Sequence, residues 1–273
     1  MNDSPKPAMD ESSAGLYDAT LCFSGGRLFL GAVRDGEALA LADEECKSLG
    51  DFQSLYFSNP LFTLPYRSMD IIVDDGGGYD LVPSPFLTEE QSIGLWLKGL
   101  QAGETVLKEL LPDQECGVVF SVKDEVREFV ERSFSRQTFH HPVTGLCLSA
   151  LQYSRRNDGD CLFALVSGSP EEPLLDVAHA RKGKLTFANR FHLHGETDAL
   201  YYLTAVWRSE GLDQEKSALS LYGDRLSASF RELLRPLSNA LRSFAINEYG
   251  TRGTEPNGTS LFPASIRLKM LCV

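Results

Sequence analysis

Alternating apolar and polar positions near the start of the chain predict three antiparallel strands. Residues 16–23, 27–33 and 37–42 are rich in Leu, Phe, Val and Ala, and two short glycine-containing turns separate them. Glycine supplies the positive φ angle that tight hairpins require. The pattern therefore predicts a three-stranded meander, followed by a helix that the acidic residues from Asp43 onward introduce.

The middle of the chain mixes strands and helices. Thr88 and Gln91 form a capping box, in which each side chain satisfies a free backbone N–H at a helix start. A continuous apolar run at 117–122 is typical of a buried parallel strand, and the amphipathic segment after it predicts a helix. The predicted elements are strands at 69–73, 79–82 and 117–122 and helices at 88–100, 123–134 and 144–153.

After a polar linker at 154–160 the order of the predicted elements repeats. Ser24-Gly25-Gly26 follows the first strand of the first meander, and Ser167-Gly168-Ser169 follows the first strand of a second one. This agreement of turns and element order predicts a duplicated lobe. The second unit comprises strands at 161–167, 174–181, 184–189 and 217–222, helices at 197–211 and 225–244 with Asp224 as N-cap, and a closing strand at 265–273.

Length and composition fit two lobes of ordinary size. The chain has 273 residues, of which 42% are hydrophobic, so it can bury a sizeable core. We expect a disordered tail at 1–15, an N-terminal lobe at 16–156 and a C-terminal lobe at 157–273.

Charge and cysteine content narrow the choice of partners. A formal net charge of -12 repels nucleic acid and anionic membrane surfaces, so neither is expected as a partner. The six cysteines are scattered without metal-ligand spacing, which favours the reducing cytoplasm. No apolar run is long enough for a signal peptide or a membrane span, so we expect no membrane insertion.

Particular stretches of the sequence resemble a known fold family. They are Phe187-Ala188-Asn189-Arg190-Phe191, residues 196–203 with Asp198, Tyr201 and Tyr202, Leu212-Asp213, and residues 219–224, with weaker support at 81–83 and 118–120. Together with the two repeated units they resemble an uncharacterised bacterial family, best known from Bacteroidetes, with the actin-like ATPase or duplicated ribonuclease-H-like fold. That family is distantly similar to the pilus-assembly protein PilM.

The resemblance implies an α/β fold of two lobes with a nucleotide site between two hairpins. In such proteins glycine lets backbone N–H groups approach phosphate, and a nearby Asp organises Mg²⁺. The implied phosphate-contacting residues are Ser24, Gly25, Gly26, Ser167, Gly168 and Ser169, with Gly223 and Asp224 on the adenine side. The acid positions carry Phe23 and Val166 instead, and an apolar side chain cannot hold hydrated Mg²⁺. No catalytic residue is therefore assigned.

Other candidate sites have simpler interpretations. The loop at 74–80 contains three aspartates that could bind Ca²⁺, but it lacks the pattern of an EF-hand, and a hairpin loop is favoured. His192, His194 and Glu196, or His140 and His141, lack a zinc motif and are expected to lie on the surface or cap helices. Ser24 and Ser167 lie in hairpin turns rather than in a nucleophile elbow. Asn189, Phe191, Asp198, Tyr201 and Tyr202 are expected to be structural: Asn189 bonding the backbone as its strand ends, and Asp198 in a first helical turn.

The sequence supports two main hypotheses of function. The first is a non-catalytic, degenerate actin-like protein in the cytoplasm that serves as a binding or scaffold module without a cofactor. Its unknown protein partner would belong to an envelope-associated assembly, as for PilM. The second is an ATP-binding protein whose lobes close on Mg-ATP with weak or no hydrolysis and whose acids come from elsewhere, for example Asp18 or Asp224. A metal-dependent hydrolase using His192 and His194 is a third hypothesis.

Overall fold

The computed structural model describes residues 9, 11–74, 77–88, 94–97, 99–112, 115–157, 159–169, 171–223, 226–248 and 262–270. The strands are β1 (Asp18–Ser24), β2 (Arg27–Arg34), β3 (Glu37–Glu45), β4 (Ser68–Asp74), β5 (Tyr79–Pro83), β6 (Glu104–Leu110), β7 (Cys116–Lys123), β8 (Gln137–His140), β9 (Cys161–Gly168), β10 (Pro173–Arg181), β11 (Lys184–His192), β12 (Ala218–Gly223) and β13 (Ser243–Glu248). The α-helices are α1 (Leu49–Ser58), α2 (Asp124–Ser133), α3 (Pro142–Arg156), α4 (Glu196–Ser209), α5 (Ala228–Ala240) and α6 (Ala264–Met270).

Two five-stranded sheets of the same topology form the two lobes. The first has the order β3-β2-β1-β4-β8 and the second the order β11-β10-β9-β12-β13. In each, the first three strands form an antiparallel meander and the fourth and fifth strands run parallel to the first. The predicted two-lobed, duplicated α/β fold is confirmed.

A third, three-stranded sheet is inserted into the first lobe between β4 and β8. Its order is β5-β7-β6, and both neighbours run antiparallel to β7. The prediction that 117–122 is a parallel strand was therefore wrong, because both faces of a strand can be apolar wherever it lies between two packed layers. The loop at 74–80 is not a hairpin loop either, since β4 and β5 lie in different sheets.

Several predicted helix boundaries change for local reasons. The acidic residues from Asp43 to Glu45 belong to β3, and Ser48 caps α1 instead by accepting the backbone N–H of Asp51. The segment predicted as a helix at 88–100 has only a 3-10 turn at Gly94–Trp96 among its described residues, and Gly99 and Leu100 are non-helical. Gln91 lies outside the described residues, so the capping box is not observed.

The end of the chain also differs from expectation. Residues 225–244 were predicted as a helix that Asp224 caps and Pro236 kinks or divides. Instead Ser227 caps the shorter helix α5, which contains Pro236, and β13 follows it. The closing strand predicted from residue 265 is helix α6. At the other end, a 3-10 turn at Glu11–Leu16 buries Ala14 completely, so order begins within the predicted disordered tail.

Helices α3 and α6 cross between the two lobes. Each follows the fifth strand of its own sheet, yet α3 packs on β9, β10 and β11 of the second sheet. Helix α6 and the preceding Phe262 pack on Cys22, Phe29 and Ile72 of the first sheet. The two helices also pack on each other. The predicted lobe boundary after Arg156 remains a prediction, and the packing of these helices extends across it.

Candidate functional site

The two hairpin turns that were predicted to hold phosphate meet at the boundary between the lobes. Gly25 and Gly26 have φ angles of 57° and 73°, and Gly168 has a φ of 82°, so all three adopt the conformation that favours glycine. A Cβ atom on Gly25 would lie only 2.9 Å from the carbonyl oxygen of Gly168. At this point the backbones of the two turns are in contact.

The two positions where an acid is expected to hold Mg²⁺ carry Phe23 and Val166. The ring of Phe23 packs edge-on against Phe52 of α1, with 4.7 Å between centroids. Val166 lines the gap between the lobes and packs against the core of the second lobe. Phe23 therefore belongs to the apolar core beneath the first sheet, and Val166 presents only methyl groups to the gap.

A cleft of about 430 Å³ lies beside the meeting turns. Of the residues predicted to contact phosphate, Ser24, Gly25, Ser167, Gly168 and Ser169 line it and Gly26 does not. Their contact with phosphate stays a prediction. Further lining residues, which the sequence did not point to, include Cys22, Phe29, Leu193, Leu226, Phe230 and Pro263. This volume and the largely apolar lining fit a small-molecule pocket.

The charged groups along the cleft are satisfied by other protein groups. Arg27 donates to the carboxylate of Asp43 over 2.7 Å. Glu196, at the start of α4, accepts hydrogen bonds from the hydroxyls of Ser227 and Ser229 at the start of α5. An anion is favoured at a helix N-terminus, and here the carboxylate of Glu196 occupies that position for α5.

Asp18, one of the two alternative acids, does not reach the turns. Asp18 lies at the far end of β1 from Ser24, about 20 Å away for six residues of strand, where it pairs with Arg67. The hydrogen bond from Arg67 is the largest cause of its lowered pKa. The proposal that Asp18 supplies a metal ligand was therefore wrong. Asp224 lies outside the described residues, and Gly223 packs closely against Leu226.

A buried ionic cluster joins the lobes near the turns. Arg190 of β11 donates two hydrogen bonds to Asp176 of β10, over 2.9 and 2.7 Å. It also donates to the carbonyl oxygen of Gly77 over 2.7 Å and lies 3.1 Å from a carboxylate oxygen of Asp74 in β4. The side chains of Asp74 and Asp176 have no solvent exposure, and that of Arg190 is 5% exposed.

Burial and charge act in opposite directions on this cluster. Burial raises the pKa of Asp176, and Arg190 opposes that shift. Burial also disfavours the charged guanidinium of Arg190, but the carboxylates of Asp176 and Asp74 outweigh it, so the pKa of Arg190 is raised. Arg190 therefore stays charged. Because Asp74 faces Arg190, a calcium loop at 74–80 would lose its first ligand.

A usable signal for this cluster was present in the sequence, and the predictions overlooked it. Asp176 is a lone acid among the apolar residues of β10, and a charge in a buried strand requires a partner. Arg190 supplies that partner from the neighbouring strand, at the position directly opposite. The pairing itself depends on the register of β10 and β11, which no local pattern specifies.

The residues of the family pattern make contacts within the second lobe. The rings of Phe191 and Tyr202 stack at 4.2 Å, and Tyr201 is 68% exposed and touches Tyr202 edge-on. Asp198 accepts the backbone N–H of His194 over 2.8 Å, in the first turn of α4. Asn189 does not mark the end of its strand as predicted, because β11 continues to His192.

Comparison with known proteins agrees with this architecture. Residues 37–239 match the model of a family described as "Protein of unknown function (DUF3822)". The chain belongs to this family. None of the curated proteins matches the chain.

Two solved structures place DUF3822 in a wider fold. A protein from Bacteroides thetaiotaomicron with an actin-like ATPase fold and unknown function is 18% identical, with a TM-score of 0.79 over 97% of this chain and all of the other. The PilM-PilN type IV pilus biogenesis complex is 14% identical, with a TM-score of 0.55 over 93% of this chain and 96% of that one. At these identities the likeness shows the fold alone, which is the actin-like ATPase fold.

The histidines of this DUF3822 member are dispersed. His192 and His194 are exposed at the end of β11 and after it. His141 is the N-cap of α3 and is buried, as the capping interpretation predicted. His140 is held between Glu109 and Asp70, at 2.5 and 3.1 Å. Within the described ranges, no three His, Cys, Asp or Glu residues are arranged to hold a metal ion, and no helix there is long and apolar enough to cross a bilayer.

Proposed function

We propose that this chain is an actin-like protein that does not hydrolyse ATP and that acts as a binding or scaffold module for another protein. The observation that carries the proposal is the direct contact of Gly25 with Gly168 between turns that lack both acids. Triphosphate has no space between the two backbones at this contact. Glu196 adds a negative charge to the cleft, which opposes a polyanion.

Calorimetry with Mg-ATP tests the absence of nucleotide binding. We expect no binding heat and no phosphate release from the wild-type chain. Gly25→Val and Gly168→Val serve as matched controls, because each would fill a turn at a positive φ angle. Micromolar binding that both substitutions abolish would contradict the proposal and favour the alternative below.

The alternative is an ATP-binding protein whose lobes close on the nucleotide with weak or no hydrolysis. The observation in its favour is the cleft of about 430 Å³, which reaches the backbone of both turns and the N-termini of α4 and α5. Backbone N–H groups at such positions bind phosphate in other proteins. The same calorimetry distinguishes the two hypotheses.

The protein-binding part of the proposal is supported by exposed apolar side chains in the segment that connects β5 to β6 of the inserted sheet. Phe86 is 52% exposed, Leu95 85%, Trp96 38% and Leu100 40%. The rings of Phe86 and Trp96 lie 5.4 Å apart. A cluster of this kind on a protein surface is typical of an interaction site. The net charge of -12 favours a partner with basic residues around its apolar contacts.

A photo-crosslinking amino acid at position 95 tests this surface. We expect a discrete adduct with one cellular protein. The control is the same amino acid at position 57, because Phe57 is 78% exposed but lies on α1. Equal labelling from both positions would contradict a specific site in the segment that connects β5 to β6.

We also propose a cytoplasmic location and an envelope-associated partner. The five cysteines in the described ranges form no disulfide bond with one another. Burial raises the pKa of Cys46 to about 11 and that of Cys161 to about 12, so both remain protonated and suit a reducing compartment. The partner proposal rests on the similarity to PilM, which is solved as a complex with PilN.

A further inference from the structure

Asp74 and Asp176 are both buried at the boundary between the lobes, so their negative charges must be compensated when the two lobes close. Asp74 comes from the first lobe, where it pairs with Ser24 beside the first turn. Asp176 comes from the second lobe, where it pairs with Leu165 near the end of β9. Each carboxylate is withdrawn from water, and each raises the energy of the other. Two such groups can both stay ionised in a buried space only if a cation lies between them, because otherwise one of them would take up a proton.

Arg190 is the cation that lies between them. Its fork-like pair of hydrogen bonds holds Asp176 within the second lobe, while its Nη2 atom faces Asp74 of the first lobe at 3.1 Å. Its Nη1 atom binds the carbonyl oxygen of Gly77, and its guanidinium lies 5.8 Å from the ring centroid of Tyr79. Arg190 therefore forms hydrogen bonds within the second lobe and also contacts three groups of the first lobe: Asp74, Gly77 and Tyr79.

The contact with Asp74 depends on charge more than on hydrogen bonding. Neither carboxylate oxygen of Asp74 accepts a hydrogen bond from the described part of the chain. Arg190 and Asp74 are not hydrogen-bonded, but the 3.1 Å distance between them leaves the Coulomb attraction strong in a buried site. If the charge of Arg190 were lost, Asp74 would face Asp176 with no compensation.

We propose that Arg190 is an electrostatic lock that determines whether the two lobes close, with no ligand needed between the turns. While Arg190 is present, the turns of Gly25 and Gly168 meet. Without its charge, the two carboxylates repel and the lobes separate until water reaches Asp74. This lock does not depend on the absence of nucleotide binding, which calorimetry tests separately.

Hydrogen exchange of the intact chain without nucleotide tests the lock. In Arg190→Met we expect the turn amides of Gly25, Gly26, Gly168 and Ser169 to exchange on the order of 100-fold faster, as for loss of one partner of a buried ion pair. Arg67→Met is the matched control, because Arg67 pairs with Asp18 on the surface of one lobe. We expect that control to leave exchange at the turns unchanged.

A triple variant without charges tests whether the effect of Arg190→Met comes from the lost charge or from the changed shape of the side chain. Asp74→Asn, Asp176→Asn and Arg190→Met together remove every charge of the cluster, and we expect turn protection to return to within about 10-fold of wild type. If Arg190→Met does not fold, the triple variant still decides: a triple variant that folds with protected turns would trace the defect to the uncompensated carboxylates, and one that also fails to fold would overturn the proposal. Wild-type exchange in a folded Arg190→Met, or a triple variant as open as the single one, would overturn the proposal.

Discussion

The two lobes differ most between the fourth and fifth strands of their sheets. The first lobe inserts a whole sheet and α2 between β4 and β8, whereas the second lobe inserts only α5 between β12 and β13. The exposed cluster of Phe86, Leu95, Trp96 and Leu100 belongs to the larger insertion. The shared strand order thus provides the scaffold, and the insertion provides a surface that the second lobe does not have.

The crossing helices limit how independent the lobes can be. The main apolar core contains Phe52 and Ile71 of the first lobe together with Phe163 and Ala178 of the second. A separate core within the second lobe surrounds Leu203 and Leu221. Because α3 and α6 each pack on the opposite sheet, unfolding one lobe exposes apolar surface of the other. We therefore expect one cooperative unfolding transition.

Truncation of a core residue in each lobe tests that expectation most strongly. Phe52→Ala in the first lobe should cost about 3–5 kcal/mol, and Leu203→Ala in the second about 2–5 kcal/mol. Both side chains are at most 2% exposed. Scanning calorimetry should show a single transition whose midpoint falls in both variants. Two transitions, of which each substitution moves only one, would show that the lobes unfold independently.

The sequence predicted the repeated meanders well because their turns contain the signal. Gly25, Gly36, Gly168 and Gly183 all have positive φ angles, and each stands at a predicted turn. The strand β13 was missed because the 3.6-residue pattern of α5 continues past Leu241. Helix α6 was mistaken for a strand because Ile266, Leu268 and Met270 alternate with Arg267 and Lys269, and such alternation is typical of a half-buried strand.

Only those features of the candidate site that depend on local sequence patterns were predicted. Ser24, Gly25, Ser167, Gly168 and Ser169 line one cleft, because hairpin turns at equivalent positions of a duplicated fold face each other. That these residues bind nucleotide stays a prediction. The contact between the turns and the ionic cluster of Arg190 was not predicted. Both depend on how the two lobes approach each other, and no local pattern specifies that distance.

A methyl group added at Gly31 should disturb the packing of α6 on the first sheet, with an intermediate effect on stability. A Cβ atom at this position in β2 would lie 2.2 Å from the ring of Phe262, which is fully buried. Gly31→Ala should therefore displace Phe262 and cost about 1–3 kcal/mol, as for other overpacked cores. Limited proteolysis should then cleave after residue 261 more readily than in wild type.

Gly36→Ala is the matched control for Gly31→Ala. Gly36 stands in the turn between β2 and β3, where a Cβ atom would have no neighbouring atom within 4 Å, although its φ angle of 80° adds local strain. We expect it to lower stability without increasing cleavage near residue 262. Equal cleavage in both variants would mean that α6 does not depend on its contact with the first sheet.

The prediction with the smallest expected effect concerns how the stability of the chain depends on pH through His141, at the start of α3. His141 caps α3 by accepting the backbone N–H of Val143 over 3.2 Å, and it is only 4% exposed, beside the rings of Tyr79 and Phe120. Burial is the largest cause of its pKa lying well below the ordinary value, and the charge of Arg190 adds to it. The folded chain therefore excludes a proton that the unfolded chain binds.

The sign of the resulting pH dependence follows from that difference. Above about pH 6.5 His141 is neutral in both states, and as pH falls below this value only the unfolded state gains a proton, so stability declines by up to about 1.4 kcal/mol per pH unit. His141→Asn keeps an N-cap acceptor but does not titrate. Urea unfolding at pH 7.5 and 5.5 should show a larger loss in wild type than in His141→Asn. Equal losses in the two proteins would mean that His141 also accepts a proton in the folded state. Water would then reach the start of α3, which would contradict the packing of His141 against Tyr79 and Phe120.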